Sequence, residues 1–594
     1  MQKNVSFIEN RVSAKGSLWK KRAYDLENIS LLKNTNDIPD IIATILAGRH
    51  IESDDVNDFL YPEVNKLLKD PSCLFDLDNG IDCLVAAIRN NEIIGILGDY
   101  DVDGATSSSI LKLFFDHYLI KSEIYIPDRL KEGYGPNKAA IDSFYNKGIK
   151  TFITVDCGAT SIDVMDYAQS KSMKAIIIDH HKVDEPLPEC AAHINPSRKE
   201  DSSSLNDLAA VGLTFVFIVG LRRAIRELNL YPDILEPSLK QYLDLVALGT
   251  VCDVVKLKGL NRAFVKEGID IISKRQRPGI EGLRAISGSK DIGVTELGFR
   301  IGPRINAAGR TGASDLGFRL LTSQSEDEVM AISERLNNLN QQRQNIEQTV
   351  LFEATNIIEE ELVSRKLNSI PNSIVVNGDN WHLGVLGIVA SRLKEKYYRP
   401  SFVISTSDGI STGSARSVSG IDVGEMIIDA VNKGILRSGG GHKMAGGFSL
   451  DSSRFEEFKE FCNKKIFDES DENSLKKVSF YDDIIDSSII NRDLYDLIKL
   501  ASPYGQGNPE PQFIIKNAKI DYWGEVGTGH LKVKLSNANY GNIDAIAFGA
   551  KGTPIGDLIM NHSGGLLHIA GVIKKNDWNG NKAVQFHIRD LFTG

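Results

Sequence analysis

Four short apolar runs alternate with helical stretches between residues 90 and 255: "IIGILG" at 93–98, "EIYIP" at 123–127, "TFITV" at 151–155 and "KAIIID" at 174–179. Brief β-branched runs of this kind form buried strands. Strands separated by helices fold as βαβ units of a doubly wound parallel sheet. This alternation constrains the chain most, because ligands of such sheets bind beyond the carboxyl ends of the strands. Here three of those ends are acidic. The first run leads into "GDYDVDG" with Asp99, Asp101 and Asp103, the third into "VDCG" with Asp156, and the fourth into "DHH" with Asp179, His180 and His181. A further acid, Asp253 in "LGTVCDVV", follows an apolar helical stretch and is placed to close the group.

The spacing in "GDYDVDG" imitates a calcium loop, but the twelfth position counted from Asp99 is Ile110 where a bidentate Glu is required. A strand also precedes it, not a helix. Several carboxylates crowded on one edge repel one another unless a cation neutralises them. Oxygen donors mixed with imidazole suit Mn²⁺ or Mg²⁺ better than zinc. The set has enough ligands for two ions, and a two-metal pair hydrolyses phosphoanhydrides or phosphodiesters.

The four motifs, in this order, strongly resemble the DHH phosphoesterase superfamily. That resemblance implies that Asp101 and Asp103 are metal ligands, Asp156 a bridging carboxylate, and His180 and Asp253 further ligands. It makes His181 the histidine facing the scissile phosphate, Asp179 a residue that orients its neighbours, and Asp99 an outer ligand. Val102 stands where that family usually carries Ala, and in an extended strand its side chain would point away from the metals.

Further along, "GSARSVSGIDVGEM" and "SGGGHKMAGGF" resemble the DHHA1 domain that partners the DHH domain in nucleic-acid-cleaving members. Pyrophosphatases of the superfamily have a different second domain. "GFRIGPRINAAGRTGASD", "WHLGVLGIVASRL", "RLKEGYG" and "SPYGQGNPEPQF" resemble the RecJ exonucleases over nearly the whole chain from about residue 75. The resemblance implies a 5′-to-3′ exonuclease specific for single-stranded DNA. It would release 5′-mononucleotides with two Mn²⁺ or Mg²⁺ ions and serve DNA repair and recombination. Single-strand-binding protein and a helicase are the partners it suggests. Arg129, Arg310, Ser414 and Arg416 match positions that hold the terminal phosphate. Tyr134 is expected to stack on a terminal base, and Arg304 and His442 to contact nucleic acid. The rivals are an oligoribonuclease or cyclic-dinucleotide phosphodiesterase, and a non-catalytic DNA-binding protein. The last is disfavoured because no expected ligand is missing.

The expected organisation is an N-terminal region without a usable motif (1–75), a doubly wound DHH domain (76–324), a connecting helix (325–365), a smaller α/β DHHA1 domain (366–470) and an OB-like β-barrel (471–594). Ser325 and Glu328 form a capping-box pattern at the connecting helix. "GISTG" at 409–413 imitates a hydrolase nucleophile motif, but strands flank it on both sides, so Ser411 is expected in a hairpin turn.

The net charge of −10 does not by itself suggest nucleic acid, yet from Lys256 to Arg310 twelve Lys or Arg stand against five Asp or Glu. Arg300, Arg304 and Arg310 fall there, and a basic channel between linked domains would admit a flexible single strand but not a stiff duplex. The apolar run 208–221 is too short for a membrane span and reads as a core helix. The N-terminus has no apolar signal segment. Six scattered cysteines without a CxxC pair argue against a disulfide scaffold or a thiolate zinc site. A monomer in the cytoplasm is expected.

Overall fold

The computed structural model describes residues 11–183, 185–310, 312–364, 370–469, 475–537, 540–561, 565–576 and 583–593. The domain limits expected at 365–366 and 470–471 lie outside the described residues. Strand β1 (Ser17–Lys21) comes first. Then follow α1 (Leu77–Arg89), β2 (Ile94–Gly98), α2 (Val102–His117), β3 (Ser122–Tyr125), β4 (Thr151–Val155), α3 (Ile162–Ser170), β5 (Lys174–Ile178) and β6 (Ala192–Ile194). Strands β2 to β6 form one parallel sheet in the order β3-β2-β4-β5-β6.

Every residue of β2 and β4 is buried, which is why these runs are unbroken by polar alternation. On one face Ile96, Ile153 and Ile176 pack with Leu84 of α1, Phe114 of α2 and Phe217 of α4 (Ala210–Glu227). On the other, Leu97, Phe152 and Ile177 meet Phe144 and Met165. The run at 208–221 thus belongs largely to α4, inside the core. Among the described residues no helix is long and apolar enough to cross a membrane.

Helix α5 (Leu243–Cys252) lies beside α2 and α6 (Gly259–Ser273), and α7 (Gly302–Gly309) leads toward the long α8 (Glu326–Ser364). Val329, Ile332 and Leu336 of α8 join the core beside the parallel sheet, whereas Val350, Ala354 and Ile358 join the core of the next unit. One helix therefore belongs to two cores, as a rigid connector must. Its capping box is only half formed. Ser325 Oγ accepts from Glu328 N at 3.4 Å, but the Glu328 carboxylate turns to Ser323 Oγ at 2.7 Å and Arg319 Nη2 at 2.9 Å.

The next unit comprises β7 (Ile374–Asp379), α9 (Leu383–Tyr397), β8 (Ser401–Ser407), β9 (Ile410–Arg416), α10 (Val423–Asn432), β10 (Ser438–His442), β11 (Ala445–Asp451) and α11 (Phe455–Glu469), with sheet order β10-β11-β9-β8-β7. Ser411 is the second residue of β9, not of the turn. It is buried and shares a 2.7 Å hydrogen bond with the Thr406 hydroxyl, which settles it as a structural residue. The turn itself is made by Asp408 and Gly409, at φ 51° and 79°.

The remaining strands are β12 (Lys477–Tyr481), β13 (Asp483–Ile485), β14 (Phe513–Val526), β15 (His530–Asn537), β16 (Tyr540–Ala547), β17 (Leu567–Asn576) and β18 (Ala583–Thr593). Strands β14 to β18 close into a barrel, because β17 pairs with both β18 and β14. The N-terminal region belongs here too. β1 runs parallel to β12, and Leu32, Ile42 and Leu46 share a core with Phe513, Val533 and Ile569.

Candidate metal centre

The turn after β2 is built on two close approaches. A Cβ on Gly98 would lie 2.0 Å from Ser108 Oγ, and one on Gly104 would lie 2.4 Å from the Asp99 carbonyl oxygen. Only glycine lets the strand fold this tightly onto α2. Asp101 then caps α2, with Oδ1 accepting from Asp103 N at 2.9 Å and Gly104 N at 3.1 Å. Val102 is consequently the first residue of α2 and not part of an extended strand. Its side chain is buried in the core, and its N–H donates to Asn306 Oδ1 at 3.1 Å. Asp103, in the same first turn, accepts from Ala210 N at 2.7 Å and Val211 N at 2.9 Å, at the start of α4.

Asp156 follows β4 with φ at 61°, in the left-handed region. Asp179 follows β5 and accepts from His180 N (2.8 Å), His181 N (3.2 Å), His181 Nδ1 (2.7 Å) and Ala159 N (3.0 Å). Burial would raise its pKa, yet the His181 hydrogen bond and both imidazoles hold it below the usual carboxylate range. Burial lowers the His181 pKa, but the hydrogen bond and charge of Asp179 outweigh it and leave the imidazole above its ordinary value. Asp253 is the residue that ends α5.

These elements bring Asp99, Asp101, Asp103, Asp156, His180, His181 and Asp253 to one edge. His180 Nε2 lies 3.4 Å from Asp156 Oδ1, 3.7 Å from Asp253 Oδ2 and 4.0 Å from Asp103 Oδ2. Three groups offer donor atoms within 4.8 Å of one another: Asp156, His180 and His181; Asp103, His180 and Asp253; Asp99, Asp101 and Asp156. Asp156 is common to the first and third, and His180 to the first and second.

The electrostatics are those of an edge that wants a cation. Burial and the Asp101 charge push Asp99 up to about 8 and Asp253 up to about 7. Burial and the neighbouring carboxylates push Asp103 and Asp156 well above the usual range. Burial and the His181 charge push His180 down to about 4, so its imidazole is neutral and able to ligate. Asp99 Oδ1, Asp253 Oδ2 and His180 Nε2 are buried with no hydrogen-bond partner. Each buried polar atom without a partner calls for an explanation such as a bound water or ion; here three converge on one edge, and the oxygen-rich donor set fits hard divalent ions.

Around this edge the other expected residues divide. Arg129 lies with its guanidinium 4.8 Å from the centre of the Tyr100 ring. Arg310 donates to the Gly384 carbonyl at 2.5 Å, and burial and the Arg129 charge push its pKa down to about 10. Arg310 and Arg416 line one cleft of about 180 Å³ together with Gly387, Ser391 and Arg392. Arg416 Nη1 donates to Ser414 Oγ at 3.3 Å. Residues from two units thus meet there.

Tyr134 meets His181 edge-on at 5.9 Å between ring centroids, and its hydroxyl donates to the Asp156 carbonyl at 3.1 Å. Its ring is therefore tied to the metal edge while 55% of the residue stays exposed. His442 ends β10 in the cross-strand row His442, Ala445, Arg416, about 10 Å from Arg416 across two strand spacings. Arg304 turns toward α8 instead, donating to Asn337 Oδ1 at 3.1 Å and to the Arg300 carbonyl at 2.6 Å. Tyr100 and Asn306 carry support roles that the sequence reading did not single out, although both lie inside the quoted motifs.

Three family models match: the DHH family N-terminal domain over residues 93–250, the DHHA1 domain over 371–467 and the RecJ OB domain over 481–590. The chain is 31% identical over 558 residues to a single-stranded-DNA-specific exonuclease RecJ of Haemophilus influenzae, spanning 92% of this chain and 95% of that protein. It superposes on RecJ from Thermus thermophilus in complex with Mn²⁺ with a TM-score of 0.79 and 26% identity, covering 97% of this chain and 79% of the other. For the Mg²⁺ complex of that protein the TM-score is 0.73 at 26% identity, covering 97% and 78%.

Proposed function

The chain belongs to the RecJ family of DHH phosphoesterases, and on that premise we propose that it degrades single-stranded DNA from the 5′ end, releasing 5′-mononucleotides. It is a metal-dependent single-stranded-DNA exonuclease with Mn²⁺ or Mg²⁺ as its cofactor. The observation that carries the site assignment is the convergence of three buried, unpartnered donors, Asp99 Oδ1, Asp253 Oδ2 and His180 Nε2, on one carboxylate edge.

Asp101, Asp103, Asp156, His180 and Asp253 would hold two ions, with Asp156 shared and Asp99 outermost. Bound there, the ions would supply Lewis acidity to the scissile phosphate and lower the pKa of the attacking water. The chain's own groups do the rest. Asp179 fixes the His181 ring through Nδ1 and, by raising its pKa, favours the form that donates to the phosphoryl oxygens. Arg310, Ser414 and Arg416 grip the terminal phosphate, and Arg129 is aimed by the Tyr100 ring. Tyr134 and His442 contact the strand around that grip, whereas Arg304, expected there, is held against α8.

We also assign the functional units: catalytic 76–324, connecting helix 325–365, phosphate-gripping 366–470, and the barrel 471–594 joined by the N-terminal region. Metal ligands, cleft and barrel all come from a single chain, which supports action as a monomer. The six free cysteines suit a reducing cytoplasm. Single-strand-binding protein and a helicase are the partners that the RecJ assignment suggests.

The test uses a long single strand labelled at its 5′ end in one tube and its 3′ end in another, with Mn²⁺. Prompt release of a 5′-labelled mononucleotide, with the 3′ label kept until late, is expected. Early loss of the 3′ label would reverse the polarity. Cleavage of dinucleotides alone would make the protein an oligoribonuclease-like enzyme. The Asp156→Ala protein should bind the strand without cutting it, and substantial cutting would remove Asp156 from the site.

A further inference from the structure

One aromatic side chain near the metal edge has no part in the site above. Phe299 is 80% exposed. It stands in a single π-helical turn, Leu297–Ile301, just before α7. Such turns are rare and are frequently found at functional sites. The local cause is Pro303, which has no N–H to donate to the Phe299 carbonyl four residues back, so the α-helical ladder breaks there. Arg304 Nη1 satisfies the next carbonyl, that of Arg300, at 2.6 Å.

The turn is firmly anchored. Cys252 Sγ donates to the Leu297 carbonyl at 3.5 Å, and a Cβ on Gly302 would lie 2.4 Å from that sulfur. Cys252 directly precedes Asp253, so the backbone carrying Phe299 rests on the last turn of the helix that delivers a candidate metal ligand. At its other end α7 leads to Arg310, and Asn306 within it accepts the Val102 N–H of the metal-binding turn. At about 1.5 Å rise per residue, Phe299 lies roughly 15 Å from Arg310 along this rod. Beside it, Arg300 is exposed, its guanidinium reaching only as far as the Ser287 carbonyl at 3.3 Å. An apolar ring held rigidly in water, next to a free-facing guanidinium, matches the two faces of a single strand. A base stacks on the ring while the cation takes a backbone phosphate.

We propose that Phe299 is a stacking platform for a base of the single strand, about 15 Å from the terminal-phosphate cleft, with Arg300 holding the adjacent phosphate. This rests on the exonuclease assignment and adds a contact that only strands longer than a dinucleotide reach. Phe299→Ala should raise KM for a long oligo(dT) about tenfold with kcat and dinucleotide turnover unchanged, and Phe299→Trp should restore the wild-type KM. In chelator, the emission of Phe299→Trp, after subtraction of the wild-type spectrum, should be quenched by long oligo(dT) and not by the dinucleotide.

An unchanged KM for Phe299→Ala, an equal loss on long and short substrates, or absence of the added quenching overturns the proposal. If the wild-type protein cuts no long strand, the exonuclease assignment fails by itself, and the quenching still decides whether Phe299 stacks.

Discussion

His193 sits in β6 only 2% exposed, and neither ring nitrogen has a hydrogen-bond partner. Burial, then the Arg198 charge, pushes its pKa down to about 4. In the unfolded chain an imidazole titrates near 6.5. The folded state therefore binds fewer protons than the unfolded state between these values, and stability falls as pH drops from about 6.5 to about 4. The full loss is about 3 kcal/mol for this one group. His193→Leu should flatten that acid limb of a stability–pH profile measured by urea unfolding; a profile parallel to wild type would count against it. His180 obeys the same physics, since it too is buried, unpartnered and pushed down to about 4. What separates them is company. His180 Nε2 has three carboxylates within 4.0 Å, so its orphaned nitrogen is a ligand in waiting, whereas that of His193 is simply a cost.

At the level of elements, α9 crosses β9 so closely that a Cβ on Gly387 would lie 2.8 Å from Arg416 Nη2 and 3.1 Å from Ser414 Oγ. Alanine favours a helix by about 1 kcal/mol over glycine, so Gly387→Ala should fold as well as wild type. Its methyl group must nevertheless displace the Arg416 guanidinium. Losing one charged hydrogen bond to the terminal phosphate costs about 1.5–3 kcal/mol, so kcat/KM on 5′-phosphorylated strands should fall at least about tenfold. Strands with a 5′ hydroxyl should be cut as before. An equal effect on both would show that Arg416 does not read the phosphate.

The same scale explains what the sequence revealed. Strands β2, β4 and β5 were legible because burial on both faces demands unbroken β-branched runs. Three-residue β6, interrupted by His193, offers no such signal. Val102 reads as strand by type, yet the Asp101 cap starts a helix at it. The carboxylates and histidines were legible because their motifs sit at strand ends. Tyr100 and Asn306 act by supporting others, and a lone polar or aromatic residue has no period to betray it. The basic stretch was read as lining a channel, but Arg277 pairs with Asp244 at 2.5 Å and Arg262 is wholly buried.

Arg262 joins the molecule's parts. From α6 it donates to the carbonyls of Phe59 (2.6 Å), Ala501 (3.0 Å), Ser502 (2.5 Å) and Pro503 (3.1 Å), with its guanidinium 3.9 Å from the Phe59 ring centre. It thus ties the N-terminal region and the entry to the barrel onto the catalytic unit. Burial pushes its pKa down only to about 10, so it stays charged at neutral pH. Nearby, Leu257 N donates to the Gln506 carbonyl at 2.8 Å, and Arg49 pairs with the buried Asp482 at 2.6 Å. This is why "SPYGQGNPEPQF" is such a distinctive string: its carbonyls and turns are the seam.

Replacing Arg262 with Met would leave these buried carbonyls without their donor, at a cost of about 3–5 kcal/mol. Lysine should not rescue, because one ammonium cannot span the fork. Calorimetry should then resolve the single wild-type transition into two, the barrel with its N-terminal region separating from the catalytic unit. The KM for long strands should rise while dinucleotide cleavage persists, since the metal edge is untouched. A single transition with an unchanged KM would mean that the barrel is held in place by something other than this arginine.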